Sequence, residues 1–163
     1  MNSLIHNLSL QLLDALENDD EAKASSLIKQ GADVNFIDPA TGNGCFIFAV
    51  DNPNLVTLLL SNGADPNLRD GGGDRPLFHA INLGNVDVVR ALVDSGADVN
   101  LRTGVGSDTF LNVAFMTDQT DVLKYLIQKG ANPDLRSDIG NRNLWDLARA
   151  EGISKKELAE TIA

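Results

Sequence analysis

The chain has 163 residues, a formal net charge of −10, 43% apolar residues, one cysteine and two histidines. A single thiol excludes a disulfide framework and a cysteine-based zinc site, and the acidic balance opposes nucleic-acid binding, whose footprint is a basic patch that neutralises phosphates. No apolar run approaches the roughly 18 residues of a membrane span, and residues 1–21 lack the basic start of a secretory signal, so a cytoplasmic chain is expected.

Residues 3–17 place Leu4, Ile5, Leu8, Leu12, Leu13 and Leu16 at helical spacing, with Asn7, Gln11 and Asp14 between them. That pattern predicts an amphipathic helix capping one end of a stack, with the leucine stripe facing inward. Asp19-Asp20-Glu21 falls at a second helix start, where carboxylates complement the helix dipole. The stripe Leu27-Ile28 then runs into Gly-Ala-Asp-Val-Asn at 31–35. Asn52-Pro53 reads as an N-cap followed by proline at the first helical position, and Leu58-Leu59-Leu60 runs into Gly-Ala-Asp-Pro-Asn at 63–67. Ala91-Leu92-Val93 leads to Gly-Ala-Asp-Val-Asn at 96–100, and Leu126-Ile127 to Gly-Ala-Asn-Pro-Asp at 130–134. Ser154 and Glu157 fit a capping box, with Leu158 and Ile162 turned inward. Capped at both ends, the array is expected to be a complete short solenoid.

The glycines Gly31, Gly63, Gly96 and Gly130 are 32, 33 and 34 residues apart. Self-similarity at such a period is the mark of stacked units, each unable to bury its apolar face alone. Each glycine ends a helix by accepting a left-handed conformation, and the Asp, Asn and Pro after it form a turn. Short apolar-basic pieces and Gly-rich stretches follow and predict hairpin-like fingers between helix pairs. Gly71-Gly72-Gly73-Asp74 and Gly104-Val105-Gly106 read as finger tips that need positive φ. Neither is a phosphate loop, because no Lys-Ser/Thr follows the first and the second lacks its third glycine.

The recurrent Gly-Ala-Asp-Val/Pro-Asn ending and the period resemble the ankyrin repeat family. The third unit matches best, through Asp70, Gly73, Pro76-Leu77, Ala80, Gly84, Asn85, Val88-Val89, Leu92-Val93 and Gly96 to Asn100. The resemblance implies an all-α repeat solenoid of stacked helix-turn-helix units in a single domain over 1–163, with repeats at about 3–35, 36–67, 68–100 and 101–134 and a closing repeat at 135–163. The family's Thr-Pro-Leu-His helix start, which ties neighbouring repeats by hydrogen bonds, is poorly kept. Its positions hold Gly44-Cys45-Phe46-Ile47, Arg75-Pro76-Leu77-Phe78, Thr109-Phe110-Leu111-Asn112 and Asn143-Leu144-Trp145-Asp146. Apolar bulk at Phe46, Phe78, Phe110 and Trp145 is expected to replace part of that bonding. The second repeat is short by about two residues at Asn52-Pro53-Asn54.

Catalytic chemistry is not expected. Cys45, the only thiol, falls at a helix start, but free cysteine is among the most buried residue types, so a structural role is expected. His79 beside Phe78 reads as a packed imidazole and His6 has no evident partner. The Asp19 to Glu21 run lacks the spacing of a calcium loop, and no cofactor or metal site is expected.

The family resemblance implies protein binding on a concave side formed by finger tips and first helices. Carried over by position, the candidate contact residues are Ile37, Asn43, Asp51, Asn52, Arg69, Asp74, Asn82, Leu83, Arg102, Asp108, Met116, Thr117 and Arg142, with Ile37, Leu83 and Met116 as apolar anchors. Residues 1–35 hold six acids against two bases, 36–67 three against none, 68–100 five against three, 101–134 four against three and 135–163 five against five. Seven of the ten excess negative charges therefore lie in the first 67 residues. A monomeric adaptor or scaffold for a protein partner with a basic surface is expected. An acidic inhibitor or immunity-type protein masking a basic enzyme is the alternative.

Overall fold

The computed structural model describes residues 3–104, 107–138 and 140–162. Among them ten helices form in five pairs: α1 Ser3–Glu17 with α2 Glu21–Lys29, α3 Cys45–Ala49 with α4 Pro53–Ser61, α5 Pro76–Leu83 with α6 Val86–Asp94, α7 Phe110–Met116 with α8 Thr120–Gln128, and α9 Leu144–Ala150 with α10 Lys155–Ile162. First helices pack on first helices along one row, α1, α3, α5, α7 and α9. Second helices α2, α4, α6, α8 and α10 form the other row.

Local chemistry sets these boundaries. The repeat-ending glycines take φ of 97°, 87°, 99° and 89° in chain order, a region where any Cβ is strained. Asn52 caps α4 ahead of Pro53, and its side chain accepts from the Asn54 and Leu55 N–H groups. Asp20, Asn85, Thr109 and Asn143 cap α2, α6, α7 and α9 in the same way. Ser154 and Glu157 make both bonds of the expected capping box. The second repeat is short in its first helix and not between its helices: α3 spans five residues against eight in α5, while three residues link α3 to α4 against two between α5 and α6.

Stacking buries a continuous core, including Leu12, Leu16, Leu55, Leu59, Leu77, Ile81, Leu92, Leu111, Leu126 and Leu144. At the first end the expected stripe is only partly inward. Leu8, Leu12, Leu13 and Leu16 are buried, whereas Leu4 is 61% and Ile5 37% exposed. Helix α1 has 15 residues against nine in α2, so at 1.5 Å per residue it is about 9 Å longer and its first turn runs past the helix it packs on.

A ladder of side-chain amides fastens the repeats along the turns. Asn35 Oδ1 accepts from the Asp65 N–H at 2.7 Å while its Nδ2 donates to the Gly63 carbonyl at 3.2 Å. Asn67 bridges to Asp98 N–H (2.8 Å) and the Gly96 carbonyl (3.0 Å). Asn100 bridges to Asn132 N–H (2.7 Å) and the Gly130 carbonyl (3.1 Å). Within each turn the preceding Asp or Asn accepts from the next residue but one, as Asp65 does from Asn67 N–H at 2.8 Å. The first rung is different: buried Ser9 accepts from Asp33 N–H at 2.9 Å, standing where a preceding repeat would supply an asparagine. The last is Asp134, whose carboxylate accepts from the Trp145 indole at 2.9 Å.

Fingers stack as well. Short antiparallel bridges join Ile37 to Gly44 and Arg102 to Thr109. Gly71 N–H donates to the Gly42 carbonyl at 2.7 Å, and a Cβ on Gly71 would lie 2.5 Å from the Gly42 Cα. A Cβ on Gly104 would lie 2.3 Å from the Gly73 carbonyl carbon. Gly73 has the expected positive φ of 84°, but Gly71 and Gly104 are needed for close approach of one finger to the next, a different reason from the one their sequence suggests. Val105 and Gly106 lie outside the described residues. Repeat four keeps an inter-repeat tie that its sequence hides. Asn112, in the family's histidine position, is fully buried and its Nδ2 donates to the Arg142 carbonyl of the next finger at 3.1 Å. Phe46 and Phe110 are buried as expected, whereas Phe78 and Trp145 are only half-buried.

Asn67→Ala removes both cross-repeat bonds of one rung and is expected to cost about 2 kcal/mol, at roughly 1 kcal/mol per bond; urea unfolding of the full chain measures it. Acid is expected to loosen the closing repeat. The Asp146 carboxyl is held below its ordinary value by the Asn143 N–H and by Arg136, and Glu157 by the Ser154 hydroxyl and N–H. With folded values depressed, this stabilisation is complete above the unfolded carboxylate value and fades as pH falls below about 4. Fluorescence of Trp145, the only tryptophan, should therefore change as pH falls through that range during acid titration.

Candidate functional site

The fingers, the helices α5 and α7 and the turns beside the first-row helices carry the thirteen candidate residues, which divide by what their side chains already contact. Leu83 and Met116 are 59% and 60% exposed, and Asp51, Asn82 and Arg142 are exposed as well. Asn82 and Leu83 end α5, Met116 ends α7, and Asp51 follows α3, so these four stand near the turns between paired helices. Asn43 is half-buried in the first finger.

The remaining candidates, Ile37 apart, carry internal bonds. Asn52 caps α4 and its Nδ2 donates to Asp19 Oδ1 at 2.9 Å. Arg69 donates to the Gly73 carbonyl within its finger at 2.6 Å. Asp74 accepts from the Gly104 N–H of the next finger at 2.8 Å. Arg102 donates to the Arg136 carbonyl at 2.9 Å and pairs with Asp138 at 3.3 Å. Asp108 accepts from Asn112 at 3.3 Å, and Thr117 donates to the Val113 carbonyl at 2.8 Å. Ile37 is half-buried against Gly44 and lines a cleft of about 20 Å³ between the first two fingers. That volume is little more than one water occupies, too small for an organic ligand.

Groups with possible chemistry are engaged in packing. Cys45 is 2% exposed, with its sulfur 3.9 Å from the Asp33 and Phe36 carbonyls. Burial pushes its thiol up to about 12, and the nearby Asp33 carboxylate acts in the same direction, the reverse of the lowering that activates a cysteine. His79 is half-buried, with Nε2 2.8 Å from Asp70 Oδ2, which ties α5 to its finger. His6 stands edge-on to Phe36 with ring centroids 5.3 Å apart. No group of three or more His, Cys, Asp or Glu among the described residues is arranged to hold a metal ion, and no described helix is long and apolar enough to cross a membrane.

Five stacked helix pairs with interlocked fingers and turns define a repeat solenoid. The family model described as ankyrin repeats (3 copies) matches residues 12–103 and, overlapping them, 46–137. The chain belongs to the ankyrin repeat family, a class of modules that generally mediate protein–protein interaction. No curated protein matches the chain.

Cys45 should resist modification in the folded protein. At pH 8, reaction with 5,5′-dithiobis(2-nitrobenzoate) is expected to be roughly a thousandfold slower than in guanidinium, because the reactive thiolate is suppressed by both burial and the raised pKa. A fast native reaction would mean that the helix start is open.

Proposed function

We propose that this chain is a stoichiometric protein-binding module, a monomeric cytoplasmic adaptor or scaffold, that receives a basic partner on the concave side of its first two repeats. The observation that carries the reading is the charge gradient. Residues 36–67 contain three acids and no base, and 1–35 six acids against two bases. Asp51 and Glu17 are both exposed near the ends of neighbouring first-row helices, and no ion pair engages either among the described residues. One-signed fields of this kind steer an oppositely charged protein and raise its association rate, and salt screens them beyond about 8 Å at physiological ionic strength. An inhibitor that masks a basic enzyme would use the same surface and differs in one observable, loss of the partner's activity at equimolar ratio.

Affinity purification at low salt, followed by association kinetics with the dominant partner, tests the proposal. The double variant Glu17→Lys, Asp51→Lys is expected to slow association about tenfold and to flatten its salt dependence, with little change in dissociation. An unchanged association rate would place the contact elsewhere on the chain.

A further inference from the structure

Turn by turn, the junctions between repeats are closed by a side-chain amide that reaches back to the preceding unit. Asn52 Nδ2 donates to Asp19 Oδ1 at 2.9 Å, Asn85 Nδ2 to the Asp51 carbonyl at 3.2 Å, and Gln119 Nε2 to the Ile81 carbonyl. Asn85 and Gln119 also share a backbone signature, an N–H bond to the carbonyl of Ala80 and of Ala114 at the end of the preceding helix. In the closing repeat that signature belongs to Ile153, whose N–H donates to the Ala148 carbonyl at 2.9 Å. An isoleucine has no amide to send back, so among the described residues the fourth junction lacks the turn amide that the other three possess.

A groove of about 630 Å³ opens at this junction. Phe115, Met116, Leu147 and Ile153 supply an apolar lining, with Met116 60% and Ile153 36% exposed. Asp118 and Glu151 stand on its lip, both exposed and in no ion pair among the described residues, and they outnumber the one cation of the lining, Arg142. The volume is that of a ligand-binding cleft, and the combination of an apolar lining with a carboxylate lip is complementary to one kind of occupant.

We propose that the groove between the fourth and fifth repeats docks a partner segment that inserts one large aliphatic or aromatic side chain and carries a lysine or arginine beside it. The inserted side chain covers Met116 and Ile153, and the adjacent cation meets Asp118 and Glu151. This rests on the protein-binding reading but places a second contact at the opposite end of the stack from the acidic first repeats.

A displayed library of 12-residue linear peptides, selected on the full chain, tests it. Enriched peptides are expected to pair one large apolar residue with a nearby lysine or arginine. They should bind at least tenfold more weakly to Met116→Asp, which charges an already exposed position, and to Ile153→Gln, which restores the amide of the other junctions. Thermal unfolding of both variants checks that they fold. Peptides indifferent to both folded variants, peptides flanked by acids, or no enrichment would overturn the groove. Peptides weakened by Asp51→Lys and not by Met116→Asp would overturn it too, while leaving the contact on the first two repeats standing. The opposite result, groove peptides alongside a partner whose association ignores Glu17→Lys, Asp51→Lys, would overturn only that first contact.

Discussion

The stack depends on a side-chain amide that behaves as a piece of backbone. At the end of each of the first three repeats an asparagine turns its oxygen and its nitrogen toward two main-chain groups of the next turn, as Asn67 does toward Asp98 N–H and the Gly96 carbonyl. Turns between stacked units have no sheet or helix to satisfy their polar groups, and unpaired groups at a packed junction are costly. An amide carries a donor and an acceptor on one planar group, so one side chain can satisfy both. Once the turns are held at a fixed separation, the helix pairs stack without adjustment and the apolar faces close on one another.

The spacing has consequences at the fingers. Units clamped this closely leave no room for a Cβ between successive finger tips, which is why Gly71 faces Gly42 and Gly104 faces Gly73. Gly71 N–H and Gly104 N–H are then near enough to bond the preceding finger. Much of the polar chemistry of the fingers is therefore internal: Arg69, Asp74 and Arg102 hold the fingers to themselves and to each other, and Asp108 holds its finger to α7. The helix ends near the turns hold fewer such bonds, and Leu83, Met116 and Asp51 remain exposed there.

What was legible from the residues follows from the range of each interaction. The stop glycines, the Asn52-Pro53 cap and the Ser154–Glu157 box act within a few residues, and their spacing alone places the helix ends. That the second repeat is short is visible for the same reason, but the shortening falls in α3 and not at Asn52-Pro53-Asn54. Ser9, Asn112 and Ile153 were not legible, because each acquires its meaning from a group in another part of the stack. Ser9 looks like a polar residue on an amphipathic helix until the Asp33 N–H is 2.9 Å away. Gly71 was read as a conformational glycine because a sequence shows that glycines cluster, not what approaches them. The candidate contact set suffered likewise: a position can be transferred from a family pattern, whereas engagement with the next finger depends on this chain's own neighbours. The exposed Leu4 and Ile5 were missed because helical periodicity reports which face is apolar, not how far the packing partner extends.

In a linear array each junction is an independent opportunity, because a repeat contacts only its neighbours. A compact domain that omitted one tie would risk its whole core. Here the fourth junction can omit its turn amide while the core continues through Leu111, Leu126 and Leu144 and the closing repeat keeps its own supports. Those supports are polar and local: two capping boxes, the Arg136–Asp146 pair at 2.7 Å and Trp145 bonded to Asp134. They hold the last helices without closing the groove beside them. The charge gradient runs the other way, densest where the turns are tied. The first and last repeats thus offer different physics, a surplus of carboxylates at the first and an apolar recess at the last.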